Sequence, residues 1–160
     1  MVHGKTITKK GGQIMVYRWK SGSHIKADPA IAAAQMDKLE KEGNLTAKGL
    51  LDANRPEDAP LHNEFEWRDT VAAELYREHQ ARHLINSIVV IREDVGPVRS
   101  YFKITKADSH YQSLNVILEK QDSRDALLRV AYRELRAFQE KYKTLSELKT
   151  VFDAINKLDF

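Results

Sequence analysis

Between Asp122 and Leu158 large apolar residues return at steps of three and four, and no other feature constrains the fold of this 160-residue chain as tightly. Leu128, Ala131, Leu135, Phe138 and Tyr142 fall on one stripe of a helix with 3.6 residues per turn. Leu148, Val151, Phe152, Ile155 and Leu158 make a second stripe. Between them Thr144-x-x-Glu147 has the form of a capping box, which satisfies the free N–H groups of a helix start. A tight connection near Lys143 makes the two helices an antiparallel hairpin, assigned to residues 107–160. Leu127 and Val130 lie off the first stripe, and Phe152 and Phe160 flank the second seam. A two-helix unit cannot bury all of these side chains against itself, so it must cover either the N-terminal unit or another subunit. From Ala107 onward nine basic residues balance nine acidic ones, so no net repulsion opposes pairing. The expectation is a homodimer driven by this hairpin.

The preceding residues read as three helices and a β-hairpin. Asp28-Pro29 opens a helix, with Asp28 as N-cap and Pro29 at the first helical position, where its missing N–H costs nothing. Ala32, Met36 and Leu39 share its core face, and Gly43 ends it. Thr46 caps a short second helix, Leu45 and Leu50 have the spacing of a hydrophobic staple, and Pro56 closes it. The third helix is predicted from Asp69 to about Asn86, with Ala73, Ala81, Leu84, Ile85 and Ile88 in one arc. Arg77 falls inside that arc, as a snorkelling or a paired arginine would, with Glu74 or an acid of residues 53–67 as its candidate partner.

"IMVYRWK" is a strand ended by "SGSH". "SIVVI", a turn around "EDVGP" and "VRSYFKI" make the hairpin. In its second strand Val98, Ser100, Phe102 and Ile104 are placed on one face, and Arg99, Tyr101 and Lys103 on the other. The opening "MVHGKTITKKGGQ" has adjacent glycines and no core pattern, so residues 1–14 read as a flexible basic arm. The expected architecture is mainly α with a small β-hairpin. A winged helix-turn-helix-like unit over residues 15–106 precedes the antiparallel helical hairpin.

"ANRPEDAPLHNEFEW", residues 53–67, combines four acids and two prolines with Leu61, Phe65 and Trp67. A solvated linker needs no large apolar side chains, so the stretch reads as a packed clasp between the second and third helices. His62, Glu64 and Glu66 alternate as strand-borne metal ligands would. No second histidine stands nearby in sequence, and no metal is assigned. His79 and His83 are separated by Gln80-Ala81-Arg82, without the glutamate of a zinc-protease helix, and read as a polar face. No phosphate-cradling glycine loop and no nucleophile elbow is present in the sequence. With no cysteine there is no disulfide framework, thiolate nucleophile or cysteine zinc site. The expectation is a non-enzymatic protein without a cofactor. Charged residues make up 31% of the chain, and no apolar run approaches the roughly 18 residues of a membrane span, so no membrane role is expected.

Charge is unevenly spread. Met1–Ala27 carries +6 with no acid, residues 28–70 carry −5, residues 71–106 carry +2, and the total is +3. Three helices followed by a hairpin is the order of a winged helix-turn-helix, whose third helix enters a major groove of double-stranded DNA. The candidate contacts are His79, Arg82, His83 and Asn86 on that helix. Arg92, Arg99, Tyr101 and Lys103 belong to the hairpin, and Lys5, Lys9 and Lys10 to the arm. Cations suit phosphates and an interleaved tyrosine suits base stacking. The rival is a protein–protein adaptor or assembly factor built on residues 55–67 and the C-terminal hairpin.

The stretches "YRWKSGSHIKAD", "LTAKGLLDANRPEDAPLHNEFEW", "AAELYREHQARHLI" and "ELRAFQEKYKTLSELKTVFDAI" together resemble a family of small uncharacterised proteins encoded by tailed phages and prophages. The likeness runs from about Met15 to Leu158 and leaves the first fourteen residues as an extension. It implies a phage setting in the cytoplasm of a host cell, with a phage or host protein as a further candidate partner. It implies no catalytic residue.

Overall fold

The computed structural model describes residues 6–10, 13–69, 73–105 and 109–159, with side chains from Met15 onward. The chain is mainly helical with a small antiparallel sheet. Strands β1 (Thr6–Lys10), β2 (Gln13–Trp19), β3 (Ile88–Arg92) and β4 (Gly96–Arg99) form that sheet in the order β1-β2-β3-β4. Helices α1 (Pro29–Lys41), α2 (Ala47–Ala53) and α3 (Ala73–Ser87) stand between β2 and β3 in sequence.

Within the stretch expected to be a flexible arm, Thr6–Lys10 is a strand, while residues 1–5 and 11–12 lie outside the described residues. Thr6 to Lys10 pair with Tyr17 to Gln13 in a tight antiparallel ladder. The alternation of "TITKK" is too short to announce itself, and its pairing depends on a partner strand beyond Gly11-Gly12.

Local chemistry sets the helix ends as the sequence suggests. Asp28 caps α1 by accepting from the Ala30 N–H at 2.7 Å, and Gly43 takes the left-handed backbone (φ 67°) that ends it. Thr46 Oγ1 accepts from the Gly49 N–H at 2.8 Å at the start of α2. A Cβ at Gly49 would meet the Asn44 carbonyl oxygen at 2.1 Å, so only glycine fits this turn. Leu45, Leu50 and Leu51 are fully buried beneath it.

The clasp packs into the core. Leu61 and Phe65 are buried, and Trp67 stacks on His62 with ring centroids 4.6 Å apart. Asn54, itself fully buried, spans the segment: its amide donates to the Leu50 carbonyl and its Oδ1 accepts from the Leu61 N–H at 2.9 Å. His62 Nδ1 donates to the Asn54 carbonyl, and Trp67 Nε1 donates to the His62 carbonyl. Glu64 accepts from the Lys26 and Ala27 N–H groups, tying the clasp to the loop before α1. His62 and Glu64 thus serve the fold rather than an alternating ligand set. Asn54→Leu leaves a buried donor and acceptor unpartnered. It is expected to destabilise the chain by about 2–3 kcal/mol in urea unfolding.

Arg77 is buried with its predicted partner Glu74 at 3.3 Å, and with Asp69 at 3.0 Å. Its Nε donates to the Glu66 carbonyl at 2.7 Å and its guanidinium lies 5.2 Å from the Trp67 ring. The apolar arc of α3 is otherwise as expected, with Ala73, Ala81, Leu84 and Ile85 buried and Ile88 following in β3.

The hairpin of β3 and β4 forms, but its second strand stops at Arg99. Ser100 and Tyr101 are both buried, which strict alternation forbids. The chain turns between them into β5 (Tyr101–Phe102), which pairs with β6 (Gln112–Ser113) in a separate ladder. Tyr111 donates its N–H to the Leu45 carbonyl, the Ser113 N–H reaches Glu40, and Ile117 of α4 (Leu114–Glu119) is fully buried. The packed unit therefore continues past residue 106, where the domain boundary was expected, to about Ile117.

Helix α5 (Gln121–Tyr142) and helix α6 (Lys149–Asn156) make the C-terminal hairpin. The expected Thr144–Glu147 box is not formed. Ser146–Leu148 is a 3₁₀ turn, and Leu148 caps α6 without a side-chain bond. Arg136 and Gln139 of α5 both donate to Asn156 of α6, and Phe138 meets Phe152 edge-on at 6.3 Å.

Candidate nucleic-acid interface

Helix α3 turns its polar face outward because Ala81, Leu84 and Ile85 commit the other face to the core. His79, Arg82, His83 and Asn86 are all exposed on it, with Leu75 and Tyr76 beside them. Arg82 pairs with Glu78 at 2.9 Å, an exposed contact that holds it weakly. His83 Nε2 donates to the Ser23 carbonyl at 3.1 Å, which pins the loop after β2 against α3. The Lys20 N–H donates to the Ser87 carbonyl at 2.7 Å and fixes the same loop at the helix end.

That loop brings in cations outside the expected set. In β2, Tyr17 and Trp19 point into the core, so Arg18 points away from it. Arg18 is the register partner of Val89, and Val89 of Arg99, so the two arginines flank one row across three strands. At about 4.8 Å between strands their backbones lie roughly 10 Å apart. Arg18, Lys20, His24 and Lys26 are exposed, and none makes an ion pair among the described residues. His24 holds the left-handed backbone conformation (φ 55°), uncommon for a residue with a side chain. Open hollows lie along residues 18–29 beside Trp19 and Ile25.

The other expected contacts fall in several places, with Arg82, Arg99 and Lys103 all near Tyr111. Arg99 joins the rim, held by Asn86 Oδ1 and, at 2.8 Å, by the Tyr101 carbonyl. Tyr101 cannot stack on a base: it is 1% exposed and its hydroxyl donates to Asp37 at 3.1 Å. Burial pushes that phenol well above its usual range, with Asp37 adding to the effect. Tyr17 beside it is pushed up to about 12 by burial, then by Asp37 and Glu40. Arg92 lies at the hairpin's turn, 3.6 Å from Asp94. Lys103 sits past the strand break, 5.1 Å from the Tyr111 ring. Lys9 and Lys10 belong to β1, and Lys5 lies outside the described residues.

The sequence reading missed Arg18, Lys20, His24 and Lys26. For Arg18 the alternation in "YRWK" carries the signal, because Tyr17 and Trp19 on either side of it face the core and oblige it to face out.

A second charged cluster lies at the clasp and has a structural role. Asp52 is pushed up by burial, yet hydrogen bonds from Lys48 and Arg55 hold it below the usual carboxylate range. Glu74 is held low by Arg55 and Arg77, and Glu66 is held at about 2 by Arg68. A folded-state pKa below the unfolded value stabilises above the unfolded value and is lost as pH falls. The melting temperature is therefore expected to drop steadily from pH 4.5 towards pH 2.

No family model matches the chain, and neither does any curated protein or solved structure. Among the described residues no group of three or more histidines and acids gathers to hold a metal ion, and no helix is long and apolar enough to cross a membrane.

Proposed function

We infer that the protein is a non-enzymatic binder of double-stranded DNA in a phage or prophage, serving regulation, replication or packaging. The observation that carries this reading is the rim of exposed cations around the end of α3. Arg18, Lys20 and Lys26 make no ion pair among the described residues, and Arg82 and Arg99 stand beside them. Unneutralised cations on adjoining elements suit a row of phosphates, whose binding releases condensed counterions. The exposed side chains of α3 (His79, Arg82, His83 and Asn86) are donors and acceptors of the kind that read base edges. Helices α2 and α3 pack together and a hairpin follows, as in a winged helix-turn-helix. The connection over residues 54–72 is longer than the usual three or four residues, and the clasp fills it. His24 supports the reading too, since uncommon backbone conformations cluster at functional sites.

For the adaptor reading, Leu61 and Phe65 face the core, which leaves the exposed residues Arg55, Pro56, Glu57, Asp58, Pro60 and Asn63 of that segment and the C-terminal hairpin as its surfaces. Anisotropy titration of a labelled duplex over a salt series tests the proposal. Phosphate contacts from Arg18, Lys20, Lys26 and Arg82 give a log–log slope of about −3 to −4. Absence of binding at low salt, or a flat response to salt, would refute it.

A further inference from the structure

We propose that α5 is a two-fold, antiparallel pairing surface for a second copy of this chain. None of the 22 residues of α5 is buried. Leu128, Leu135 and Phe138 remain 37–39% exposed although α6 lies alongside, and Leu145, Val151 and Leu158 are open on the same hairpin. Helix α6 covers the side of α5 that carries Arg136 and Gln139. Ala131, Glu134, Phe138 and Lys141 follow at steps of three and four along an adjoining stripe.

The occupant is identified by self-complementarity. Glu134 and Lys141 stand two turns apart, and neither makes an ion pair among the described residues. A two-fold axis beside Ala137 and Phe138 runs α5 antiparallel to its copy. Glu134 then lies opposite Lys141 of the second copy, twice over. A parallel arrangement would oppose Ala131 to Ala131 and Glu134 to uncharged Gln139. Charges flanking an apolar seam select partner and orientation in this way.

Sedimentation equilibrium of the full chain tests the pairing. The expected species has twice the 18.4 kDa chain mass at micromolar concentration. Lys141→Glu and Glu134→Lys, each alone, are expected to weaken dimerisation about fivefold to tenfold, as two attractive pairs become repulsive. Both positions are exposed, so circular dichroism should match the parent. The double variant, with the charges exchanged, should restore the parent affinity. A monomer at high micromolar concentration overturns the proposal. So does a Lys141→Glu variant that dimerises as tightly as the parent, or a double variant that stays weak.

Discussion

Phe65→Ala is expected to destabilise the chain by about 3–5 kcal/mol. The ring is 6% exposed within the core cluster that includes Leu50, Leu51, Leu61 and Leu84. Truncation removes its transfer free energy and leaves a cavity that Asn54 and Leu61, fixed by the Leu61 N–H to Asn54 Oδ1 bond and the Asn54 amide's bond to the Leu50 carbonyl, cannot collapse to fill. For a chain of this size the midpoint should fall by roughly 10 °C or more in a thermal melt. Trp67→Ala is expected to cost less, about 2 kcal/mol. Its ring is only half-buried, although it gives up the stack on His62 and the bond to the His62 carbonyl. Asp58→Ala, exposed in the same stretch, should stay within about 0.5 kcal/mol of the parent. A Phe65→Ala protein that melts like the parent would show that the clasp is not part of the core.

The triple variant Arg18→Gln, Lys20→Gln, Arg82→Gln is expected to bind duplex DNA about 100-fold more weakly at ~0.1 M salt. Its salt slope should flatten by about two to three units. Each cation is exposed, and the one ion pair they make among the described residues, Arg82 with Glu78, contributes little to stability. The variant should therefore fold and melt with the parent. Arg99 and Lys103 make an uninformative pair for this test. Arg99 is already committed to Asn86 and the Tyr101 carbonyl, and Lys103 stands beyond the strand break beside Tyr111. Undiminished affinity in the triple variant would remove the rim from the account.

The helices were legible because their signals are local. Asp28-Pro29, Thr46 and Gly43 act through hydrogen bonds and backbone angles within a few residues, and the apolar arcs of α1 and α3 need only a 3.6-residue period. Arg77 could be marked as a buried cation from the same period, and its partner Glu74 lies one turn away. Strand β1 was hidden because its pairing rests on partners across Gly11-Gly12 rather than on its own five residues. The break at Ser100 was hidden because β6 and α4, more than ten residues on, draw Tyr101 inward towards Asp37. The Thr144–Glu147 pattern reads as a box, yet the chain enters α6 through a 3₁₀ turn instead. Of the candidate interface, the outward face of α3 was legible from periodicity. The loop cations were not, because the bonds that join residues 20–23 to α3 cross sixty positions or more.

Amide chemical-shift mapping during titration of the full chain with a duplex puts the central claim to its most direct test. The largest changes are expected to cluster at residues 18–26 and 79–86, with Arg99 at their edge and the clasp residues 61–67 little affected. Changes confined to α5 and α6, or none at a duplex excess in low salt, would contradict it.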